Sequence, residues 1–215
     1  MRCKAVQHSD EMYCAACGLR WDVNDPCPPD CRNATNVTLI GLTGAAGSGK
    51  STLAQYMHNQ HGYHRVRFAS ILKNMIRTML RGAGVSDAEI EAMIEGDLKE
   101  VPHAALGGKT PRHAMQTLGT EWGRNLIDEN LWTNLTGMYL DSLYPSVRVV
   151  IEDVRFENEA TMIRQRGGKI VRMDGRGGIP GTHQSESGVE PDLSCYNGGS
   201  LTQTQRWFDY VFTMR

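Results

Sequence analysis

The chain has 215 residues and a formal net charge of −1, enough for one sizeable domain with a small appendage. No apolar run approaches the ~18 residues of a transmembrane helix, and the polar, cysteine-bearing N-terminus lacks the apolar segment of a secretory signal. We therefore expect a cytoplasmic protein without membrane attachment. The near-neutral charge argues against duplex nucleic acid as the main ligand, because such binding neutralises many phosphates.

Cysteines are concentrated at the N-terminus, in residues 1–33, which show neither helical nor strand periodicity. The four that match the ligand number and approximate spacing of a structural zinc site are Cys14, Cys17, Cys27 and Cys31. Cys3 or His8 could replace one ligand. So short a segment can hardly bury a core, so Zn²⁺ would supply its folding free energy. The alternative is reduced or disulfide-paired cysteines, and a reducing cytoplasm disfavours disulfides. The partner of this zinc-knuckle-like module is not indicated.

The rest of the chain, residues 37–215, alternates predicted strands and helices. We predict strands at 37–43, 63–68, 147–151, 169–173 and 193–196. We predict helices from Lys50, over 70–80, 87–95 and 111–143 (broken near Gly119 and Asp128), over 160–165, and from Ser200. Ser70, Ser86 and Thr110 are the expected N-caps of the second, third and fourth helices. This alternation predicts an α/β fold of three layers around a mainly parallel sheet.

A glycine-rich segment between the first strand and the first helix fits G-x-x-x-x-G-K-[ST] at every fixed position. It consists of Gly44, Ala45, Ala46, Gly47, Ser48, Gly49, Lys50 and Ser51. Such a loop cradles phosphates with its backbone N–H groups. Lys50 would reach the β- and γ-phosphates of ATP, Ser51 would bind Mg²⁺ and Thr52 would contact the α-phosphate. The alternative is an ordinary glycine-rich connection between a strand and a helix.

The strand at 147–151 runs into Glu152 and Asp153. A carboxylate at this position can hold Mg²⁺, and we assign that role to Asp153. Arg155 follows at the edge where ligands bind in open α/β sheets, which gives it a catalytic role in charge neutralisation. The alternative is that the two acids only cap the next helix.

Further cations lie in two segments. If residues 112–123 are α-helical, one polar stripe contains Arg112, Gln116, Gly119 and Gly123, and the apolar stripe beside it contains Met115, Leu118, Trp122 and Leu126. The polar stripe is either a ligand-binding face or a solvated face, and the apolar stripe is expected to be core. Arg172 and Arg176 flank a glycine-rich loop suited to a lid over about 174–188, from which Arg176 could reach the transferring phosphoryl group.

The chain resembles the deoxynucleoside monophosphate kinases of tailed bacteriophages. The resemblance is carried by the phosphate-binding loop and by Phe68–Lys73, Gly108–Arg112, Gln116–Arg124, Asp153–Glu159 and His183–Glu186. It implies a kinase domain over 37–215 with the P-loop NTPase fold of the nucleoside monophosphate kinases and a helical acceptor-binding region at about 70–145. It also implies transfer from MgATP to a deoxynucleoside monophosphate (dNMP), in the host cytoplasm if the protein is phage-encoded. By motif position the acceptor site would be lined by Lys73, Arg112, Gln116, Trp122, Arg124, Asp153 and Arg155.

Two other functions stay open. Gly41-Leu42-Thr43-Gly44 also resembles the opening of dephospho-coenzyme A kinases, so another small-molecule kinase is the nearest alternative. A zinc-containing ATP-binding adaptor for nucleic acid or protein is an alternative of a different class, and the lack of a basic stripe argues against it. The base preference and the oligomeric state, monomer or homodimer, are left open.

Overall fold

The computed structural model describes residues 38–143, 147–175 and 189–212, together with the backbone of three short N-terminal strands. The chain forms two compact units. The first contains the residues up to Arg67 and from Gly137 onward, and the second is Phe68–Thr136. Among the residues so described, no helix is long and apolar enough to span a membrane.

The N-terminal strands are β1 (Ala5–His8), β2 (Glu11–Cys14) and β3 (Arg20–Asp22). They pair antiparallel in the order β1-β2-β3. The sequence analysis missed them, because strands of three or four residues are too short to show a two-residue alternation. Of the predicted zinc ligands, Cys14 is the last residue of β2, and Cys17, Cys27 and Cys31 lie outside the described residues.

The main sheet belongs to the first unit and confirms the predicted α/β class. Its strands are β4 (Leu39–Thr43), β5 (His64–Val66), β6 (Val149–Ile151), β7 (Lys169–Asp174) and β8 (Leu193–Tyr196). All neighbours are parallel, in the order β5-β6-β4-β7-β8. The phosphate-loop strand β4 is therefore central.

The α-helices are α1 (Lys50–His61), α2 (Ala69–Gly82), α3 (Asp87–Ile94), α4 (Pro111–Gln116), α5 (Leu131–Ser142), α6 (Glu157–Gln165) and α7 (Leu201–Phe212). Short 3₁₀ turns span Asp97–Glu100 and Ala104–Leu106. A π-helix spans Thr117–Ile127 directly after α4.

Helices cover both faces of the main sheet. Ile40 and Leu42 of β4 pack with α1 and α7 in one buried cluster that includes Leu53, Met57 and Phe208. Gly41, between Ile40 and Leu42, faces the opposite side of the sheet, and a Cβ on it would lie 2.7 Å from Ile163 of α6. This glycine lets α6 pack close to the strand, and the result is the three-layer arrangement.

The helix starts agree with the predictions in part. Ser86 caps α3 by accepting from the Glu89 N–H, and Thr110 caps α4 by accepting from the His113 N–H. The prediction for Ser70 was wrong, because α2 begins at Ala69 after a helical Phe68 that makes no side-chain cap. The helix predicted from residue 160 begins at Glu157.

The second unit has its own buried core. It is formed by α2, α3 and the first turn of α5, with Leu72, Ile76, Leu80, Ile90 and Trp132 among its buried residues. The Trp132 indole N–H donates to the Gly119 carbonyl at 2.7 Å, so the π-helix is attached to this core.

Candidate active site

The glycine-rich segment forms the loop between β4 and α1, where the sequence analysis predicted phosphate binding. Gly44 (φ 131°) and Gly49 (φ 96°) adopt backbone conformations that favour glycine. A Cβ on Gly44 would lie 2.7 Å from the backbone oxygen of Met173. The loop thus turns tightly against β7 and ends at the N-terminus of α1, where backbone N–H groups and the helix dipole favour anions.

Lys50, the first residue of α1, lies over its own loop. Its ammonium donates to the carbonyl oxygens of Gly44 and Ala45, both at 2.7 Å. Burial, and with it the positive charge of Arg155, lowers the pKa of Lys50 from its ordinary value, while the carboxylate of Asp153 opposes the shift. The Val154 N–H donates to the Leu42 carbonyl of β4 at 3.1 Å, so the segment with Asp153 and Arg155, which follows β6, continues beside the end of β4.

Glu152 has a role that the sequence analysis missed. Its side chain is 3% exposed and accepts from Arg65 Nε at 2.7 Å and from Arg67 Nη2 at 3.1 Å. Burial favours a higher pKa for Glu152, but the hydrogen bonds from Arg65, Arg67 and Ser51 outweigh it and hold the pKa below its ordinary value. The predicted Mg²⁺ ligand Ser51 is therefore hydrogen-bonded to Glu152, the residue directly before the other predicted ligand, Asp153.

Neither Glu152 nor Asp153 caps α6, because that helix begins at Glu157. The turn before it is fixed by Glu159, whose carboxylate accepts from the backbone N–H groups of Arg155 at 2.7 Å and Phe156 at 3.2 Å. Glu159 is 3% exposed. The sequence analysis treated this acid only as part of a charged segment, and the signal that could have identified it is its position in the first turn of α6.

Five residues to which the family resemblance gave an acceptor-binding role lie in the second unit. Lys73 pairs with Glu95, with Nζ to Oε1 at 2.9 Å. Arg112 pairs with Glu100, and Arg124 donates to the Glu129 carbonyl at 3.2 Å. Gln116 ends α4 and is partly buried. Trp122 lines an apolar groove of this unit.

The π-helix changes which residues share a face, because its hydrogen bonds run over five residues, as in Asp128 N–H to Gly123 O at 3.0 Å. The apolar stripe predicted as core is wrong at Trp122 and Leu126, which are 37% and 75% exposed. A Cβ on Gly123 would lie 2.5 Å from Trp132. Gly123 therefore accommodates the buried indole instead of continuing a ligand-facing stripe.

The predicted lid lies almost wholly outside the described residues, and so does Arg176. Arg172 is described, and its Nε lies 2.9 Å from a carboxylate oxygen of Asp174. Among the residues that the structure describes, no group of three His, Cys, Asp or Glu side chains is arranged to hold a metal ion.

A parallel sheet whose central strand runs into the predicted phosphate-binding loop, with acids and an arginine after the neighbouring strand, is the arrangement of a P-loop nucleotide-binding protein. A family model described as "Deoxynucleotide monophosphate kinase" matches residues 109–206. A protein of Acanthamoeba polyphaga mimivirus, named "Putative deoxynucleotide monophosphate kinase", is 36% identical over 162 residues, or 70% of this chain and 81% of that protein. The chain belongs to the deoxynucleotide monophosphate kinase family.

Two further proteins are similar. The "Deoxynucleoside-5'-monophosphate kinase" of Escherichia phage T5 is 33% identical over 88 residues, which cover 37% of this chain and 35% of that protein. The crystal structure of TT1252 from Thermus thermophilus matches with a TM-score of 0.44 and 17% sequence identity, covering 80% of this chain and 95% of the other.

Proposed function

We propose that this protein is an ATP-dependent deoxynucleoside monophosphate kinase, which transfers the γ-phosphoryl group of ATP to a dNMP and yields ADP and the dNDP. The observation that carries the proposal is the position of Lys50, whose ammonium lies on the glycine-rich loop at the Gly44 and Ala45 carbonyls. The segment with Asp153 and Arg155 follows β6 and continues beside the end of β4, where that loop begins. Membership of the kinase family supports the choice of acceptor.

The proposed reaction needs little covalent help from the protein. A phosphate oxygen of the dNMP attacks the γ-phosphorus while the bond to the ADP leaving oxygen breaks. Because the second pKa of a phosphate monoester is about 6, the acceptor is largely a dianion at neutral pH and requires no general base. Catalysis then consists of alignment and neutralisation of the charge on the phosphates.

The loop backbone from Gly44 to Gly49 would bind the β- and γ-phosphates, and Thr52 the α-phosphate. Lys50 carries a fixed positive charge next to the transferred group, and Arg155 adds a second. Ser51 and Asp153 offer the hydroxyl and carboxylate oxygens that suit Mg²⁺, so they would hold the ion. Mg²⁺ would neutralise phosphate charge during transfer.

On the acceptor side, we assign dNMP binding by motif position to the residues Lys73, Arg112, Gln116, Trp122, Arg124, Asp153 and Arg155. The ion pairs of Lys73 with Glu95 and of Arg112 with Glu100 hold two of these cations in place. Arg176 of the predicted lid is assigned to the transferring phosphoryl group. These assignments rest on motif position in the family resemblance.

We also propose a structural Zn²⁺ bound by Cys14, Cys17, Cys27 and Cys31. The support is the donor set: four thiolates complete a tetrahedral site without an open position, which is the chemistry of a structural ion and not of a catalytic one. Metal binding would then stabilise the N-terminal segment and take no part in phosphoryl transfer.

A coupled ADP-release assay with MgATP tests the function. The acceptors are dAMP, dCMP, dGMP, dTMP, the matching ribonucleotides and dephospho-coenzyme A, with the Lys50→Ala variant as the control for contaminating kinases. Turnover on one or more dNMPs that the variant lacks supports the proposal. Turnover on dephospho-coenzyme A alone would transfer the protein to that kinase class. Silence on all acceptors, with tight and steeply salt-dependent DNA binding, would favour the adaptor.

A further inference from the structure

Asn197 is a buried polar residue in the first unit, directly after β8. It is not among the site residues predicted from the sequence. Its side chain and backbone are 8% exposed. Its backbone N–H donates to the Asp174 carbonyl at the end of β7 at 2.6 Å. The residue is thereby fixed at the same edge of the sheet as the phosphate-binding loop.

The side-chain amide of Asn197 connects that loop to α7. Its Nδ2 donates to the Ser48 carbonyl at 2.8 Å, and its Oδ1 accepts from the Thr204 hydroxyl at 2.7 Å. A carbonyl can only accept, so the amide nitrogen must face Ser48 and the amide oxygen must face Thr204. Thr204 is 2% exposed, and its hydroxyl holds the amide in this orientation by donating to Oδ1.

The bond to Ser48 fixes a peptide plane inside the loop. In a planar trans peptide the C=O and the following N–H point in opposite directions. With the Ser48 carbonyl directed at Asn197, the Gly49 N–H points away from Asn197. A Cβ on Gly49 would lie 2.3 Å from Asn197 Nδ2, so the amide occupies the space beside this glycine.

We propose that Asn197 is a positioning residue for ATP, which holds the Ser48–Gly49 peptide so that the Gly49 N–H is available to the nucleotide phosphates, and that Thr204 holds the Asn197 amide in place. The inference rests on the proposed function in that ATP is the ligand of the loop. Without the amide donor, the carbonyl of the fully buried Ser48 would lack a partner. The peptide would then lower its free energy by turning its carbonyl towards another donor.

The test measures the Kd for MgATP directly by titration calorimetry, with the full chain and no acceptor. Thr204→Val removes the hydroxyl at nearly constant volume, Thr204→Ser keeps it, and Asn197→Leu removes the amide. The matched control is Asn59→Ala, which changes an exposed asparagine of α1. We expect Thr204→Val and Asn197→Leu each to raise the Kd by about tenfold, and Thr204→Ser and Asn59→Ala to leave it unchanged.

Two readouts separate positioning from a merely structural role. The KM for the dNMP should stay at the wild-type value in Thr204→Val, whereas a general loss of structure would raise it together with the Kd for MgATP. The double variant should bind MgATP no more weakly than Asn197→Leu alone, because both changes break one chain of hydrogen bonds. An unchanged Kd in Thr204→Val, or equal losses for Thr204→Val and Thr204→Ser, would overturn the proposal.

The Thr204 pair decides the question even if Asn197→Leu fails to fold. Because the Kd is measured without an acceptor, failure of the proposed function appears separately, as wild-type protein that binds MgATP but phosphorylates no dNMP.

Discussion

Glu159 accepts a hydrogen bond from the backbone N–H of Arg155 at 2.7 Å, within the turn that joins β6 to α6. The same carboxylate oxygen accepts from Phe156 N–H at 3.2 Å. One buried acid therefore fixes the backbone that carries the arginine assigned to phosphoryl transfer.

Replacement of Glu159 by alanine should impair both stability and turnover. Two backbone N–H groups would lose their acceptor, at a cost of about 1–3 kcal/mol in the free energy of unfolding, and Arg155 would lose its fixed position. Glu159→Gln is the matched control, since its amide oxygen can still accept from both groups. Denaturant unfolding and kcat should place Glu159→Gln near wild type. Equal loss in both variants would show that the charge matters and not the hydrogen bonds.

Arg155→Ala should weaken phosphoryl transfer much more than ATP binding. In the proposed reaction the guanidinium would add positive charge where charge shifts in the transition state, so its loss should lower kcat/KM for the dNMP by about 10²–10³-fold. The Kd for MgATP, measured by calorimetry, should change little. An equal loss of ATP affinity and of transfer would refute the acceptor-side role of Arg155.

Lys50→Ala should abolish turnover while the far-UV circular dichroism stays native. Lys50 is partly buried. In the part of the chain that the structure describes, its ammonium donates hydrogen bonds to loop groups, the Gly44 and Ala45 carbonyls at 2.7 Å and Ser48 Oγ at 3.4 Å. The helix it begins does not depend on them. The rate of ADP release with a dNMP as acceptor should fall by at least about a hundredfold. Substantial remaining turnover would remove Lys50 from the chemistry.

The sequence was sufficient to predict the central sheet and the phosphate-binding loop, because both have local signals. Strand β4 is a short apolar run, and the loop has fixed glycines and a lysine at fixed spacing. The contacts of Glu152 with Arg65 and of Asn197 with Ser48 join residues 87 and 149 positions apart. No local pattern encodes such pairs, which depend on how parallel strands bring distant segments together.

The predicted polar and apolar helix faces of the second unit were wrong for another reason. The prediction assumed 3.6 residues per turn, whereas the segment Thr117–Ile127 is a π-helix. A wider turn moves each successive residue to a different angle, so Leu126 is exposed where an α-helix would have placed it beside Trp122. Composition does not distinguish these two helix types, and the packing of Gly123 against Trp132 becomes visible only in the fold.

The N-terminal zinc prediction can be tested by metal analysis of the purified full chain. About one zinc ion per chain is expected from one complete set of four cysteines. Cys27→Ser together with Cys31→Ser should abolish zinc binding and leave dNMP turnover unchanged, since the proposed ion is structural. The matched control is Cys195→Ser, which changes a buried cysteine of β8. A folded wild-type protein without zinc would end the idea.

Glu152→Gln should destabilise the protein in a pH-dependent manner. At pH 7 the variant leaves Arg65 and Arg67 without their carboxylate, and we expect a loss of about 1–3 kcal/mol in the free energy of unfolding, since both arginines remain partly solvated. The Asp141 side chain of the Arg166–Asp141 ion pair is 68% exposed. Asp141→Asn is therefore the control, with an expected change within about 0.5 kcal/mol.

The sign of the pH dependence follows from the lowered pKa of Glu152. Above the unfolded-state pKa of about 4.3 the carboxylate is charged in both states, and its full contribution to stability is present. As the pH falls through the lower folded-state pKa, the carboxylate is protonated and the contribution is lost. Urea unfolding from pH 7 to pH 3 should therefore show the wild-type advantage over Glu152→Gln shrinking below about pH 4.3. A constant difference across this range would mean that the ion pairs with Arg65 and Arg67 do not carry the effect.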